Sequence, residues 1–103
     1  MNIRDFFVLS MLSSSVFAAA DVVVEIESGQ IAGAVLENNV REFLGVPYAA
    51  PPVGDLRWKP PAAARAWSGL REAKTHAPAC MQMQYENIKK SEDCLYINVW
   101  TKA

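Results

Sequence analysis

The proline-rich segment at residues 47–61 constrains the fold more than any other stretch, because it holds five of the chain's six prolines together with Gly54. Each proline removes a backbone hydrogen-bond donor and fixes φ at about −65°, so neither a helix nor a central strand can run through the segment. Flexible linkers are polar or Gly/Ser-rich, whereas this segment carries Tyr48, Leu56 and Trp58. We therefore predict an ordered loop whose large apolar side chains are not left in water.

Three short strands are predicted before this loop. From Val22 to Ile26 apolar residues occupy every second position and glutamates face the other way, which is typical of a half-buried strand. Two further apolar runs follow at hairpin distance. The predicted strands cover residues 22–26, 31–36 and 40–46, with turns at residues 28–29 and 37–39. Together they predict an antiparallel β meander.

The last stretch, from Leu95 to Trp100, is β-branched and aromatic and is apolar on both faces apart from Asn98. That pattern predicts a strand buried in a sheet that is covered on both sides, as in α/β proteins. Residues 62–90 show no long hydrophobic period, and the pattern allows helical turns only at residues 61–66 and 84–90.

The first twenty residues, Met1 to Ala20, have the layout of a secretory signal peptide. A short apolar stretch follows Arg4, and the small residues Ala18 and Ala20 satisfy the A-x-A pattern for cleavage after Ala20. The stretch is too short to span a bilayer as a helix. We predict a secreted or periplasmic protein that begins at Asp21, with a buried N-terminal helix as the alternative.

The charge pattern argues against several kinds of partner. Ten basic and eleven acidic residues are scattered along the chain, which carries a formal net charge of −1. This balance predicts no partner among nucleic acids. His76 is the only histidine and there are two cysteines, too few ligands for a typical zinc site. We expect no metal and no cofactor.

Two motifs resemble the type-B carboxylesterase/lipase family, which includes cholinesterases and para-nitrobenzyl esterases. Residues 43–61 read FLGVPYAAPPVGDLRWKPP and resemble the family's GIPYA-PPVG-LR block. Residues 92–100 read EDCLYINVW and resemble its E-D-C-L-Y-[LI]-N-[VI] signature. The family usually has Pro, Gln or Arg two residues after the Trp100 position, whereas this chain has Lys102. Weaker agreement at Gly29, Gly33 and elsewhere extends the resemblance from about Val24 to Thr101.

The resemblance implies an α/β-hydrolase fold, of which residues 21–103 would be the N-terminal portion only: an antiparallel β meander, a proline-rich loop, a disulfide loop and the first buried sheet strand. It implies a carboxylic ester hydrolase acting on a small-molecule ester. No catalytic residue is expected within residues 1–103, because no G-x-S-x-G pentad occurs and the triad histidine of this fold lies late in the chain. His76 is therefore interpreted as a surface residue, and the family's glycine-rich oxyanion loop would follow Trp100. The chain alone is predicted to be inactive.

Two pairs of residues are expected to tie the motifs together. Cys80 and Cys94 fit a disulfide in an exported chain, and the resemblance implies the same pairing; two free thiols remain the alternative if the protein stays in the cytoplasm. The resemblance also implies an ion pair between Arg57 and Glu92, against the alternative that both charges are merely solvated.

The sequence leaves the class of function open. A complete protein of this family can be a serine esterase or, where the serine is lost, a non-catalytic binding or adhesion protein. The chain can also be an inactive truncated remnant, and the unpaired edge of its last strand then predicts aggregation. We favour the enzyme. Which ester is the substrate and what the oligomeric state is are not predicted.

Overall fold

The computed structural model describes residues 21–102, and the predicted signal peptide, Met1 to Ala20, lies outside the described residues. The strands form one five-stranded sheet. They are β1 (Asp21–Ile26), β2 (Gly29–Val35), β3 (Val40–Pro47), β4 (Leu70–Glu72) and β5 (Tyr96–Lys102). Two 3-10 turns, Glu37–Asn39 and Gly54–Leu56, complete the regular structure, and residues 21–102 contain no α-helix.

The predicted meander is present as β1, β2 and β3, each antiparallel to the next. Ile26 pairs with Gly29, so the first turn is the two residues 27–28 and Gly29 already belongs to β2. The alternation predicted for β1 is present in the structure. Val22, Val24 and Ile26 pack against the core, whereas Val23 is exposed. The second turn places Asn38 and Asn39 at positive φ, which asparagine tolerates better than most residues.

β2 and β3 pair only at Ala34–Glu42 and Val35–Arg41 and then diverge. The chain that follows the proline-rich loop enters the gap as β4, which pairs with β2 in parallel. At its end Ala73 donates a hydrogen bond to the Ala32 carbonyl and accepts one from Leu44, both at 2.8 Å. Strand β4 and Ala73 thus connect β2 to β3 where those strands no longer touch.

The core is small; its main cluster lies on the face that carries Ile31 and Phe43, and Ala32 and Leu44 are buried as well. Ile31, Phe43, Val46 and Ala73 form its buried centre. Gly33 admits the Phe43 ring, because a Cβ built at that glycine would lie 2.4 Å from the Glu42 carbonyl oxygen and 2.6 Å from the ring. Gly33 is one of the residues that carry the family resemblance, and the close approach of β2 and β3 is the physical reason for a glycine here.

The ladder between β3 and β5 is interrupted by a bulge between Phe43 and Val46. Gly45 adopts φ +67° in this bulge, and its N–H donates to Asn98 Oδ1 at 2.9 Å. Asn98 is the one polar residue in the otherwise apolar stretch 95–100, and it replaces the ladder bond that the bulge removes. The side chain that breaks the apolar pattern is therefore what joins β5 to β3 at this point.

Several expectations were wrong. The proline-rich loop is irregular apart from one 3-10 turn, but Trp58 is 97% exposed and Tyr48 is also exposed, so residues 21–102 do not cover these rings. No helix forms at residues 61–66 or 84–90, and the second range holds only one hydrogen-bonded turn, from Ile88 N–H to the Tyr85 carbonyl at 3.4 Å. Strand β4 was missed because three residues carry no periodicity. The last strand runs from Tyr96 to Lys102 rather than over the predicted residues 95–100, and residues 21–102 leave it largely exposed at the edge of their sheet. That this strand is covered on both sides in a larger sheet stays a prediction.

Replacement of Gly45 by alanine tests the bulge. A Cβ at this position would lie 2.7 Å from the Thr75 carbonyl oxygen, so we expect Gly45→Ala to lower the free energy of unfolding by about 2–4 kcal/mol, from left-handed strain and steric crowding together. Gly54 also has positive φ but has no atom within 4 Å of the built Cβ, and Gly54→Ala should cost only about 1–2 kcal/mol. Urea unfolding of both variants measures the difference, and equal losses would contradict the crowding at Gly45.

Candidate functional site

Cys80 and Cys94 are joined in the structure, with an S–S distance of 2.02 Å and a Cα–Cα distance of 5.0 Å. The enclosed segment, residues 81–93, is called the disulfide loop below. Its base is a short backbone ladder in which Ala79 N–H donates to the Lys89 carbonyl and Ser91 N–H donates to the Ala79 carbonyl, both at 2.9 Å. The loop is therefore anchored at its ends, by one covalent bond and by these two hydrogen bonds.

The middle of the disulfide loop projects from the sheet. Met83 is 98% exposed, and Met81 and Tyr85 are also exposed. Tyr85 adopts a φ of 63°, a conformation that is unusual for an aromatic residue. Residues 21–102 alone therefore do not pack these side chains.

The second predicted pair spans the proline-rich loop and the disulfide loop. Arg57 Nη2 lies 3.0 Å from Glu92 Oε1, and the two side chains are 53% and 47% exposed. An ion pair this exposed adds only about 0.2–1 kcal/mol. Its effect is to fix the position of one loop against the other.

An open groove of about 250 Å³ lies beside this pair. It is lined by Pro52, Arg57, Trp58, Met81, Glu92 and Cys94. Cys94, Arg57 and Glu92, three of the four residues singled out in the sequence, therefore line one groove, and the fourth, Cys80, is bonded to Cys94. The groove wall is almost entirely apolar apart from the ion pair.

A cluster that the motifs did not reveal lies at the start of β5. The Arg71 guanidinium sits over the Trp67 ring, 5.3 Å from its centroid, and Arg71 Nε is buried without a hydrogen-bond partner among the described residues. Desolvation of the hydroxyl, followed by its interaction with the Asp93 carboxylate, raises the pKa of Tyr96 above 10.0, and Arg71 opposes this. Only the position of Asp93 and Tyr96 within the EDCLY motif gave a sequence signal for the cluster.

A second ion pair, between Lys74 and Asp21, joins β1 to the segment after β4. Lys74 Nζ donates to Asp21 Oδ1 at 2.6 Å, and this hydrogen bond raises the pKa of Lys74. The two residues are 53 positions apart in sequence, so the sequence alone gave no sign of the contact. It ties the first described residue of β1 to the segment that follows β4.

The described residues offer little catalytic chemistry of their own. Both cysteines are in the disulfide, and His76 is exposed on the segment after β4, beside Thr75. Residues 21–102 contain no cluster of three or more metal-ligating side chains, and no helix among them is long and apolar enough to cross a membrane. That the catalytic residues lie beyond residue 103 stays a prediction.

Comparison with known proteins decides the family. The model of the carboxylesterase family matches residues 20–103. The chain belongs to the carboxylesterase family. It is 43% identical to fumonisin B1 esterase of Sphingopyxis macrogoltabida over 105 residues, which cover 92% of this chain and 19% of that protein. It is 35% identical to human cocaine esterase over 95 residues, which cover 74% of this chain and 17% of that protein.

The fold comparison agrees with the sequence comparison. The crystal structure of the Geobacillus stearothermophilus carboxylesterase superposes with a TM-score of 0.71 at 42% identity, over 79% of this chain and 16% of that one. The α/β-hydrolase fold class is therefore confirmed, with the described residues forming a sheet-rich N-terminal portion of it. The chain spans less than a fifth of the length of these carboxylesterases.

Removal of the disulfide tests how much the loop closure contributes. We expect the Cys80→Ser, Cys94→Ser double variant to lose about 3 kcal/mol of unfolding free energy, as the chain-entropy model gives for a loop of this size. Thermal unfolding with and without dithiothreitol measures it. Reductant should lower the melting temperature of the parent and leave that of the double variant unchanged; a parent insensitive to complete reduction would contradict the assignment.

The Tyr96 cluster predicts a loss of stability at alkaline pH. The folded pKa of Tyr96 lies above the value of 10.0 for an unperturbed tyrosine, so its stabilising contribution is complete below about pH 10 and is lost as pH rises through the folded pKa. We expect Tyr96→Phe to reduce the fall in unfolding free energy above about pH 10. Tyr48→Phe, at an exposed position outside the cluster, should leave the parental profile unchanged. Identical profiles for Tyr96→Phe and the parent would contradict the cluster.

Proposed function

We propose that the complete protein is an exported serine carboxylesterase and that residues 21–103 form the N-terminal part of its catalytic domain. The reaction proposed is hydrolysis of a small-molecule carboxylic ester through an acyl-serine intermediate. The observation that carries the proposal is the 43% identity to an esterase across 92% of this chain, with the carboxylesterase model matching residues 20–103.

Residues 21–103 would supply structure to the site. The proline-rich loop and the disulfide loop are held together by the Arg57–Glu92 pair, and Asp93 and Tyr96 join the second loop to β5. The family resemblance implies that the glycine-rich oxyanion loop follows β5. Oxyanion donors act through exact placement, and loss of one costs about 2.7–4 kcal/mol of transition-state stabilisation. The contacts that fix the start of β5 would therefore support that placement.

The substrate class is proposed only as carboxylic esters. The relatives carry names that refer to esters as different as fumonisin B1 and cocaine. The apolar groove beside Arg57 and the exposed Met81, Met83 and Tyr85 suit contact with apolar parts of such a molecule. Burial of these side chains by other parts of the domain is the alternative.

Export is the second part of the proposal. The arrangement of residues 1–20 supports a signal peptide cleaved after Ala20. A disulfide between Cys80 and Cys94 suits an oxidising compartment. Asp21, which would then be the first residue of the mature protein, pairs with Ala34 in the sheet and with Lys74.

The reading frame beyond the codon for Ala103 tests this function. We expect it to encode a glycine-rich loop and then G-x-S-x-G, and the encoded protein to hydrolyse p-nitrophenyl acetate after export with Asp21 as its first residue. Replacement of the pentad serine by alanine should lower kcat at least about 10³-fold. The 103-residue chain alone should show no hydrolysis above buffer.

Two other results would reject the enzyme. A pentad without its serine, in a folded and inactive protein, would indicate a binding protein. A stop codon directly after Ala103 would indicate an inactive remnant.

A further inference from the structure

The middle of the disulfide loop is the most open stretch of backbone that the structure describes. Residues 80–89 form an unbroken run of ten exposed residues, longer than any other in the described part of the chain. The run holds no strand or helix, and no backbone N–H of residues 81–87 donates to a carbonyl of the described backbone. The turn bond from Ile88 N–H to the Tyr85 carbonyl is long, at 3.4 Å. The segment can therefore change conformation without breaking a network of hydrogen bonds.

The composition of the same segment fits a place at the surface of the complete protein. The side chains on either side of Tyr85 are mostly polar or charged: Gln82, Gln84, Glu86, Asn87, Lys89 and Lys90. Neither Glu86 nor Lys89 forms an ion pair among the residues that the structure describes. Burial of an unpaired charge is costly, so we expect the rest of the domain to leave this segment open to solvent.

The two ends of the segment are held independently of its middle. The disulfide joins Cys80 to Cys94, and β5, which follows, is paired with β3 along the ladder from Val40–Lys102 to Pro47–Tyr96. A break in the backbone between the two cysteines would therefore not release either piece. The piece with β1 to β4 and the piece with β5 would stay joined by one covalent bond and by the ladder.

We infer that the disulfide loop is a site of proteolytic processing, at which an exported endopeptidase that prefers aromatic residues hydrolyses the Tyr85–Glu86 bond. One water is consumed, the C–N bond breaks, and a carboxylate forms on Tyr85 and an amino group on Glu86. The product is a two-chain protein joined through Cys80 and Cys94. Exposed loop tips are the preferred sites of such cleavage. The inference takes export from the proposed function and does not require ester hydrolysis.

Tyr85 differs from the other exposed aromatic residues in the backbone around it. An extended peptide is recognised through its free backbone N–H and C=O groups. Trp58 is more exposed, but residues 60–61 are prolines and supply no N–H. Tyr48 N–H already donates to the Leu95 carbonyl at 3.2 Å. The backbone around Tyr85 has neither restriction.

The complete protein, recovered after export by its native host, shows whether the processing occurs. N-terminal sequencing should find two sequences, one that begins at Asp21 and one that begins at Glu86. On a denaturing gel the protein should give one band without reductant and two bands with dithiothreitol. A single N-terminus in the recovered protein would overturn the inference.

Limited digestion of the intact complete protein with chymotrypsin tests whether the folded loop is accessible. We expect an early cut that creates the Glu86 N-terminus. Absence of this cut at a chymotrypsin concentration that degrades the heat-unfolded protein would show that the loop is covered and would overturn the inference.

Two matched variants locate the recognised residue. Tyr85→Ser and Tyr48→Ser remove the same side chain at positions that are 66% and 56% exposed. Tyr85→Ser should slow the cut by chymotrypsin at least about tenfold, because the protease pocket loses its aromatic group, whereas Tyr48→Ser should be cut at the parental rate. Equal rates for the two variants would overturn Tyr85 as the site.

Ester hydrolysis is measured separately on the same preparations. A complete protein that is cut at Tyr85 but is inactive would reject the proposed function and leave the processing site standing. An active protein that resists the cut would reject the processing site and leave the proposed function standing.

Discussion

The structure depends on the contacts of Ala73, which is 1% exposed and connects two strands that diverge. Its N–H donates to Ala32 on β2 and its carbonyl accepts from Leu44 on β3. A larger side chain at position 73 would push Ile31 and Phe43 apart, because both belong to the same buried cluster as Ala73. The chain returns to the sheet at Ala73. The sheet therefore fixes the chain between the proline-rich loop, which precedes Ala73, and the disulfide loop, which follows it.

The two loops are held by interactions of different strength. The disulfide closes one of them covalently, and the exposed Arg57–Glu92 pair contributes orientation more than stability. Asp93, at the end of the disulfide loop, contributes to the raised pKa of Tyr96 on β5, and Arg71 on β4 opposes it. The motif residues 92–98 therefore hold β5 in place, through Asn98 at the bulge and Tyr96 at the start of the strand.

Much of the fold followed from the sequence where periodicity was strong. The alternation in β1 and the prolines at residues 47–61 predicted the meander and the irregular loop because each acts locally. β4 was not predictable, since three residues in parallel with β2 are selected by tertiary contacts. The exposure of Trp58 was also not predicted, because burial depends on what packs against a residue and not only on its own polarity. At the site, Cys94, Arg57 and Glu92 came from the two motifs and Cys80 from the count of two cysteines, whereas Arg71 has no local signal: its role follows from its place over Trp67.

The central claim is that residues 21–102 are an N-terminal portion of the α/β-hydrolase fold in which β5 is the buried strand that the sequence predicts. Amide hydrogen exchange of β5 in the complete protein tests this most directly. The account predicts slow exchange for successive amides from Tyr96 to Lys102, including those that point away from β3, because both edges of the strand are then hydrogen-bonded. Exchange of the outward-pointing amides at the rate of an unstructured peptide, with the β3-facing amides protected, would show that β5 remains an edge and would contradict the account.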